Sequence, residues 1–237
     1  MPQKSIEFLS SPLVREGKWS GPVRKLWGKA MRFRYQADTH LEDVNGVLFN
    51  VERGVFLPAS CRSGALMARA MQDLAGQDGV PSRVLDMGTG SGVGAVCAAR
   101  MGATVDAVDL SAQAVSCARR NADQLAENGR VNVFHGDLFE PLNPIRYDWI
   151  LFNPPYYDGR PVDESDYAWR STDVVSRFAE EVDGWLASNG VLILSLSTEG
   201  VCSELVEILK DRYSITVLRR EIWLAEVMSV LALRIRI

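Results

Sequence analysis

Asn153-Pro154-Pro155-Tyr156 is the stretch of this sequence that most directly implies chemistry. The side chain of Asn153 carries one carbonyl acceptor, and the backbone carbonyl of Pro154 is a second. Neither proline can donate to a ladder, so Pro154 and Pro155 end the strand before them and stiffen the turn. Two fixed acceptors can hold the two hydrogens of an NH2 group, and Tyr156 offers a flat face for a planar amide or base. Drawing those hydrogens toward acceptors shifts electron density onto a nitrogen whose lone pair is otherwise delocalised. The reaction this suits is in-line displacement by a planar nitrogen, in which alignment supplies much of the acceleration. No strong general base is needed, because the nitrogen becomes acidic once alkylated.

A second group of residues reads as the binding site for the other reactant. Val84-Leu-Asp-Met-Gly-Thr-Gly-Ser-Gly92 follows an apolar strand and opens a helix. Gly88, Gly90 and Gly92 let backbone approach a ligand closely, with Met87 and Thr89 completing the loop. The run Gly90 to Ala95 also fits a nicotinamide-binding glycine turn. Asp86 argues against that, since a carboxylate just before the turn repels a pyrophosphate and attracts an ammonium. Asp109, at the next strand end, is placed to accept both hydroxyls of a ribose. Asp137, after the third strand, is placed to accept from an adenine amino group. Leu110 and Leu138 follow these two carboxylates and belong to the same binding set. Three carboxylates at adjacent strand ends, with no phosphate-binding Lys between them, suit adenosine linked to an amino acid.

The elements that must carry these residues follow from periodicity. Met31 to Tyr35 alternates apolar and basic, Asn45-Gly46 is a turn signal, and Val47 to Val51 reads as the partner strand of a hairpin. Gly54 to Pro58 then leads into a helix with apolar positions at 66, 67, 70, 71 and 74 and a stop at Gly76. Strands are expected at 83–87, 104–109, 131–135, 148–153 and 191–197. The helices between them run from Gly92 to Met101, from an N-cap at Ser111 to near Gly129, along the face Val175, Phe178, Val182, Trp185, Leu186, and to about Lys210. This alternation implies an α/β, doubly wound, mostly parallel sheet. The stretch from Ser214 to Ile237 forms a hairpin that adds an antiparallel strand at one edge. The division expected is 1–58 as an N-terminal arm and hairpin, and 59–237 as the catalytic domain.

Composition sets limits on function. The chain has 237 residues, 47% of them apolar, and a net charge of −4. Residues 1 to 40 are net +5, so the remainder is net −9. An acidic body does not suit indiscriminate nucleic-acid binding, although the basic arm is a candidate contact for RNA or an acidic partner. Cys61, Cys97, Cys117 and Cys202 form no CxxC pair, and only His40 and His135 are available, so no metal is expected. No apolar run is long enough to span a membrane and no secretory leader is legible, which makes the cytoplasm the expected compartment.

These motifs resemble those of the class I methyltransferases. Asp86 to Gly92 is similar to their first motif, Asp109 to their ribose-binding acid, and Asn153 to Tyr156 to the tetrapeptide of members that methylate amino groups. Within the class, the chain most resembles the protein-glutamine N5-methyltransferases of peptide-chain release factors. That likeness rests on the hairpin Arg32 to Val51, on Val55-Phe-Leu-Pro58, and on Ala168-Trp169 and Arg177-Phe178. It implies a seven-stranded sheet with a small N-terminal hairpin, S-adenosylmethionine as cofactor and S-adenosylhomocysteine as product. Asn153 and Pro154 would hold the amide, and Tyr156 would pack against it. Phe56, Pro58, Tyr157 and Trp169 are the candidate substrate contacts, the last two in an acidic, aromatic loop from Tyr157 to Trp169. One stretch departs from the family: Pro58-Ala-Ser-Cys-Arg-Ser63 has no carboxylate where the family usually has an acidic residue and a Thr. Methylation of an adenine N6 or of a small metabolite, and a non-enzymatic cofactor-binding subunit, stand as alternatives.

Overall fold

The computed structural model describes residues 39–127, 129–155, 157–160, 166, 169–197, 202–223 and 226–236. Asn45 and Gly46 take φ angles of 54° and 85°, the left-handed pair required by a two-residue hairpin turn. So short a turn fixes the register, pairing Val44 with Val47 and Thr39 with Glu52. The partner of β2 (Val47–Glu52) is therefore β1 (Thr39–Val44), not the alternating stretch 31–35, which lies outside the described residues along with the basic arm. Val44, Phe49 and Val51 point inward and are buried in one cluster with Val93, Val96, Ala114 and Cys117.

Seven strands form the central sheet: β3 (Arg83–Met87), β4 (Thr104–Asp109), β5 (Val131–His135), β6 (Tyr147–Phe152), β9 (Leu186–Ser197), β10 (Tyr213–Trp223) and β11 (Glu226–Ile235). Their order is β10-β11-β9-β6-β3-β4-β5. β3 pairs in parallel with β4 and with β6, and β6 with β9. The antiparallel strand is β11, which lies one place in from the edge between β9 and β10. A further short parallel ladder joins β7 (Tyr157–Asp158) to β8 (Arg170–Ser171) and closes the base of the loop after the tetrapeptide.

Helices α1 (Ser63–Asp78), α2 (Val93–Arg100), α3 (Ala112–Leu125), α4 (Val174–Trp185) and α5 (Cys202–Leu209) flank the sheet. Alternation along the strands sends side chains to two cores. From β6, Trp149 and Leu151 join Leu66, Met71 and Ala95 of α1 and α2. Ile150 and Phe152 face Phe178, Val182 and Leu205 of α4 and α5. Three helix ends differ from the sequence expectation. α1 runs past Gly76 to a cap at Gly79, which takes φ 90°. α3 has its N-cap at Ser111, as expected, but ends at Leu125, short of Gly129. α4 ends at Trp185, so Leu186 begins β9 instead of sharing the helical face.

Asn121, fully buried on α3, fastens the hairpin to the glycine loop. Its Nδ2 donates to the carbonyls of Asn50 and Ser91, both at 2.8 Å, and its Oδ1 accepts from the Asn50 N–H at 3.0 Å. Asn121→Leu strands the Ser91 carbonyl and the Asn50 N–H, and leaves the Asn50 carbonyl with only the Cys117 thiol, at 3.2 Å. Chemical denaturation should show a loss of about 2–4 kcal/mol, read on heating as a fall of roughly 5–15 °C. An unchanged midpoint would mean that the hairpin is held by its apolar face alone.

Candidate active site

The carboxyl ends of β3, β4 and β6 converge on one cleft of about 450 Å³, a size suited to a small-molecule ligand. Its floor is the loop between β3 and α2, where Gly88, Gly90 and Gly92 have φ of 65°, 58° and 84°. Side chains avoid that region, so glycines are what this path admits. The Thr89 N–H donates to the carbonyl of Val108, which lays the loop across the end of β4.

Asp86 sits beneath this loop and is buried. Its Oδ2 accepts from the Thr89 hydroxyl at 2.6 Å and from the Ala95 N–H at 2.8 Å. Burial pushes its carboxyl up to about 6, against the opposing pull of those two hydrogen bonds. A Cβ on Gly94 would lie 2.6 Å from the Asp86 carboxylate, so Gly94 is the residue that makes room for it. Asp109 also has its pKa raised by burial. Its two oxygens accept from the N–H groups of Gly90 (2.8 Å) and Ser111 (2.9 Å). Each oxygen retains a second lone pair, which matches the two hydroxyls of a ribose. Asp137 is held by Arg177, whose guanidinium donates to Oδ2 at 2.7 Å.

Asn153, Pro154 and Pro155 line the same cleft. The Asn153 Nδ2 donates to the Ser63 hydroxyl at the start of α1, at 3.2 Å. Phe56 and Pro58 line the same cleft, as do Met87, Leu110 and Leu138. Trp169 reaches it indirectly, with its ring 5.1 Å from that of Phe56. Gly92 turns away and packs against Ala118. Tyr156 lies outside the described residues, and Tyr157 is placed by its backbone in β7.

Several residues at the cleft carried no local signature in the sequence. Ser63 and Arg170 belong to it through tertiary contact. Behind the cleft, Glu42 was not expected either. From β1 it accepts from the N–H groups of Ala59 and Ser60, at 2.9 and 2.6 Å, and from the Ser60 hydroxyl. The stretch 58–63, which has no carboxylate of its own, is thus tied to one from the hairpin. Among the described residues no His, Cys, Asp and Glu side chains gather as a metal site, and no helix is long and apolar enough to cross a membrane.

The residues fit an adenosine that bears an amino acid. The Asp86 and Asp109 carboxylates both line this cleft, an arrangement that suits an ammonium and a ribose. This sheet order and this cleft define a class I methyltransferase. More narrowly, the family model of the methyltransferase small domain matches residues 46–217, and the chain belongs to that family, whose members depend on S-adenosylmethionine. The chain is 33% identical over 177 residues to the ribosomal protein uL3 glutamine methyltransferase of Burkholderia pseudomallei, covering 66% of this chain and 57% of that one. It is 28% identical over 227 residues to the release factor glutamine methyltransferase of Rhodopirellula baltica, covering 87% and 72%. A solved 16S rRNA methyltransferase of T. Thermophilus, in complex with AdoMet and guanosine, shares the fold with a TM-score of 0.62 at 23% identity, over 84% of this chain and 50% of that one. The chain spans little more than half the length of the uL3 enzyme it matches.

Proposed function

We propose that this chain transfers a methyl group from S-adenosylmethionine to the side-chain amide nitrogen of a glutamine in a protein of the translation machinery. The observation that carries the reading is the position of Asn153 and Pro154 just after β6, lining the same cleft as Asp86 and Asp109. The relatives named for glutamine methylation of uL3 and of a release factor support the choice of acceptor. Both substrates are proteins of the bacterial cytoplasm, the compartment we assign to this chain.

Bound S-adenosylmethionine supplies an electrophilic methyl group on a sulfonium. The protein's part is to hold and orient. Asp86 faces the ammonium, Asp109 accepts from the ribose hydroxyls, and Asp137, oriented by Arg177, accepts from the adenine amino group. Leu110 and Leu138 flank the base. Asn153 Oδ1 and the Pro154 carbonyl accept the two amide hydrogens and point the nitrogen along the line of the departing sulfur. Phe56 and Pro58, backed by Trp169, form the apolar wall beside the acceptor. The cofactor's sulfonium would give up the methyl group to this nitrogen, keeping the bonding electron pair on sulfur. The nitrogen then releases one proton to solvent.

The test is incubation of the purified protein with methyl-labelled S-adenosylmethionine and, separately, uL3, a release factor, ribosomal RNA and a small-molecule extract. Label on uL3 or the release factor, mapped by mass spectrometry to one glutamine, is the expected result. Label confined to RNA would overturn it in favour of a base amine, the reading that the guanosine-bound neighbour motivates.

A further inference from the structure

Ser63 is the first residue of α1 and is fully buried. Its hydroxyl accepts from Asn153 Nδ2, joining segments 90 residues apart. The backbone that carries this hydroxyl is itself held in place. Glu42 ties down the N–H groups of Ala59 and Ser60, and the Ser63 N–H donates to the carbonyl of Cys61 at 2.8 Å. Arg62, at φ 67°, donates to Glu221 of β10 at 2.7 Å. The path from Pro58 to Ser63 is therefore anchored to the hairpin on one side and to the far edge of the sheet on the other.

The amide of Asn153 turns about its last torsion with a broad profile, so its plane must be set by a neighbour. A hydrogen bond from Nδ2 to Ser63 sets that plane. It also draws density through the amide onto Oδ1, since successive hydrogen bonds polarise one another. An incoming NH2 group donates to Oδ1 while Nδ2 donates to Ser63. With the amide reversed, nitrogen would meet the donor group of the substrate.

We infer that Ser63 is a positioning residue for methyl transfer. Its hydroxyl holds the Asn153 amide so that Oδ1 accepts from the substrate nitrogen. The kinetic consequence rests on the transfer reaction proposed above, whereas the geometric claim does not.

Two measurements on the full chain keep these apart. In protein labelled with 15N asparagine, the Asn153 side-chain pair is the one absent from Asn153→Ala. In Ser63→Ala that pair should shift toward the position of a solvated amide and exchange faster with water. The other asparagine pairs should stay in place, and affinity for S-adenosylhomocysteine should remain within about twofold. An unmoved Asn153 pair would overturn the inference. In single-turnover transfer to uL3, Ser63→Ala should be slower by roughly tenfold, the worth of one aligned hydrogen bond, with KM for uL3 within about threefold. In an Asn153→Ala background the same change should have no further effect, and equal losses in both backgrounds would also overturn it. If uL3 takes no label, the glutamine reading fails, and the amide resonance still decides the role of Ser63.

Discussion

Asn153→Ala is expected to slow methyl transfer by about 10²–10³-fold, while affinity for S-adenosylhomocysteine stays within a few-fold of the parent value. The two effects separate because of where Asn153 sits. In the proposed site the ribose and the ammonium fall to Asp109 and Asp86, whose carboxylates accept from Gly90 and Ser111 and from Thr89 and Ala95, not from Asn153. The Asn153 amide instead contacts α1 through Ser63. Truncation therefore removes one of two acceptors for the substrate NH2 and leaves the cofactor cradle standing. The Pro154 carbonyl remains, so the nitrogen keeps one anchor but loses its orientation about it. The loss should fall on kcat more than on the KM of the acceptor, since polarising the nitrogen matters most as the N–C bond forms. Single-turnover rates alongside calorimetry with S-adenosylhomocysteine check both halves. A retained rate would mean that the Pro154 carbonyl and packing alone place the nitrogen. An equal loss of cofactor affinity would assign Asn153 to the cofactor side of the cleft.

What sequence could and could not reveal follows from chain distance. The glycine loop, Asp109 and the strand ending at Asn153 were legible because each function is written in contiguous residues, and the parallel sheet then has to bring the strand ends together. The hairpin was legible through Asn45-Gly46, but its first strand was assigned to 31–35. A two-residue turn leaves no choice: the partner of Val47 must be Val44. The alternation Glu42, Val44 carries little strand signal in the sequence, because an inward-facing glutamate does not look like a core position. Glu42 is nonetheless buried, since two backbone N–H groups and a hydroxyl compensate for its desolvation. Ser63 and Asn121 were invisible for the same reason, as was the ion pair of Arg177 with Asp137. Each acts on a residue 30 to 90 positions away, and nothing local distinguishes a serine that orients a catalytic amide from one that begins a helix.

The affinity for S-adenosylhomocysteine is expected to weaken by about tenfold between pH 7.5 and pH 5, through Asp86. In the free protein burial lifts this carboxyl to about 6 from its ordinary 3.8. An ammonium binds the ionised form. Near pH 7.5 that form prevails and affinity is on its plateau, whereas one unit below the midpoint only about a tenth of the sites are ionised. The same shift has the opposite sign for folding. A carboxyl raised in the native state favours folding while it is protonated, and that contribution is lost as pH rises from about 4 through about 6. Above it, holding Asp86 ionised and without a cation costs on the order of 3 kcal/mol. The bound ammonium offsets that cost, so the rise in melting temperature on adding S-adenosylhomocysteine should be larger at pH 7.5 than at pH 5. Asp109 is also raised by burial and faces the ribose, so a ligand without the amino acid is the necessary control. Methylthioadenosine keeps the nucleoside and thioether and lacks the ammonium. The ratio of the two affinities therefore isolates Asp86. It should fall toward acid in the parent protein and be flat in Asp86→Asn, whose ligand-free form should melt higher at pH 7.5. Parallel pH profiles for the two ligands would show that Asp86 does not meet the ammonium and serves only to brace the loop through Thr89 and Ala95.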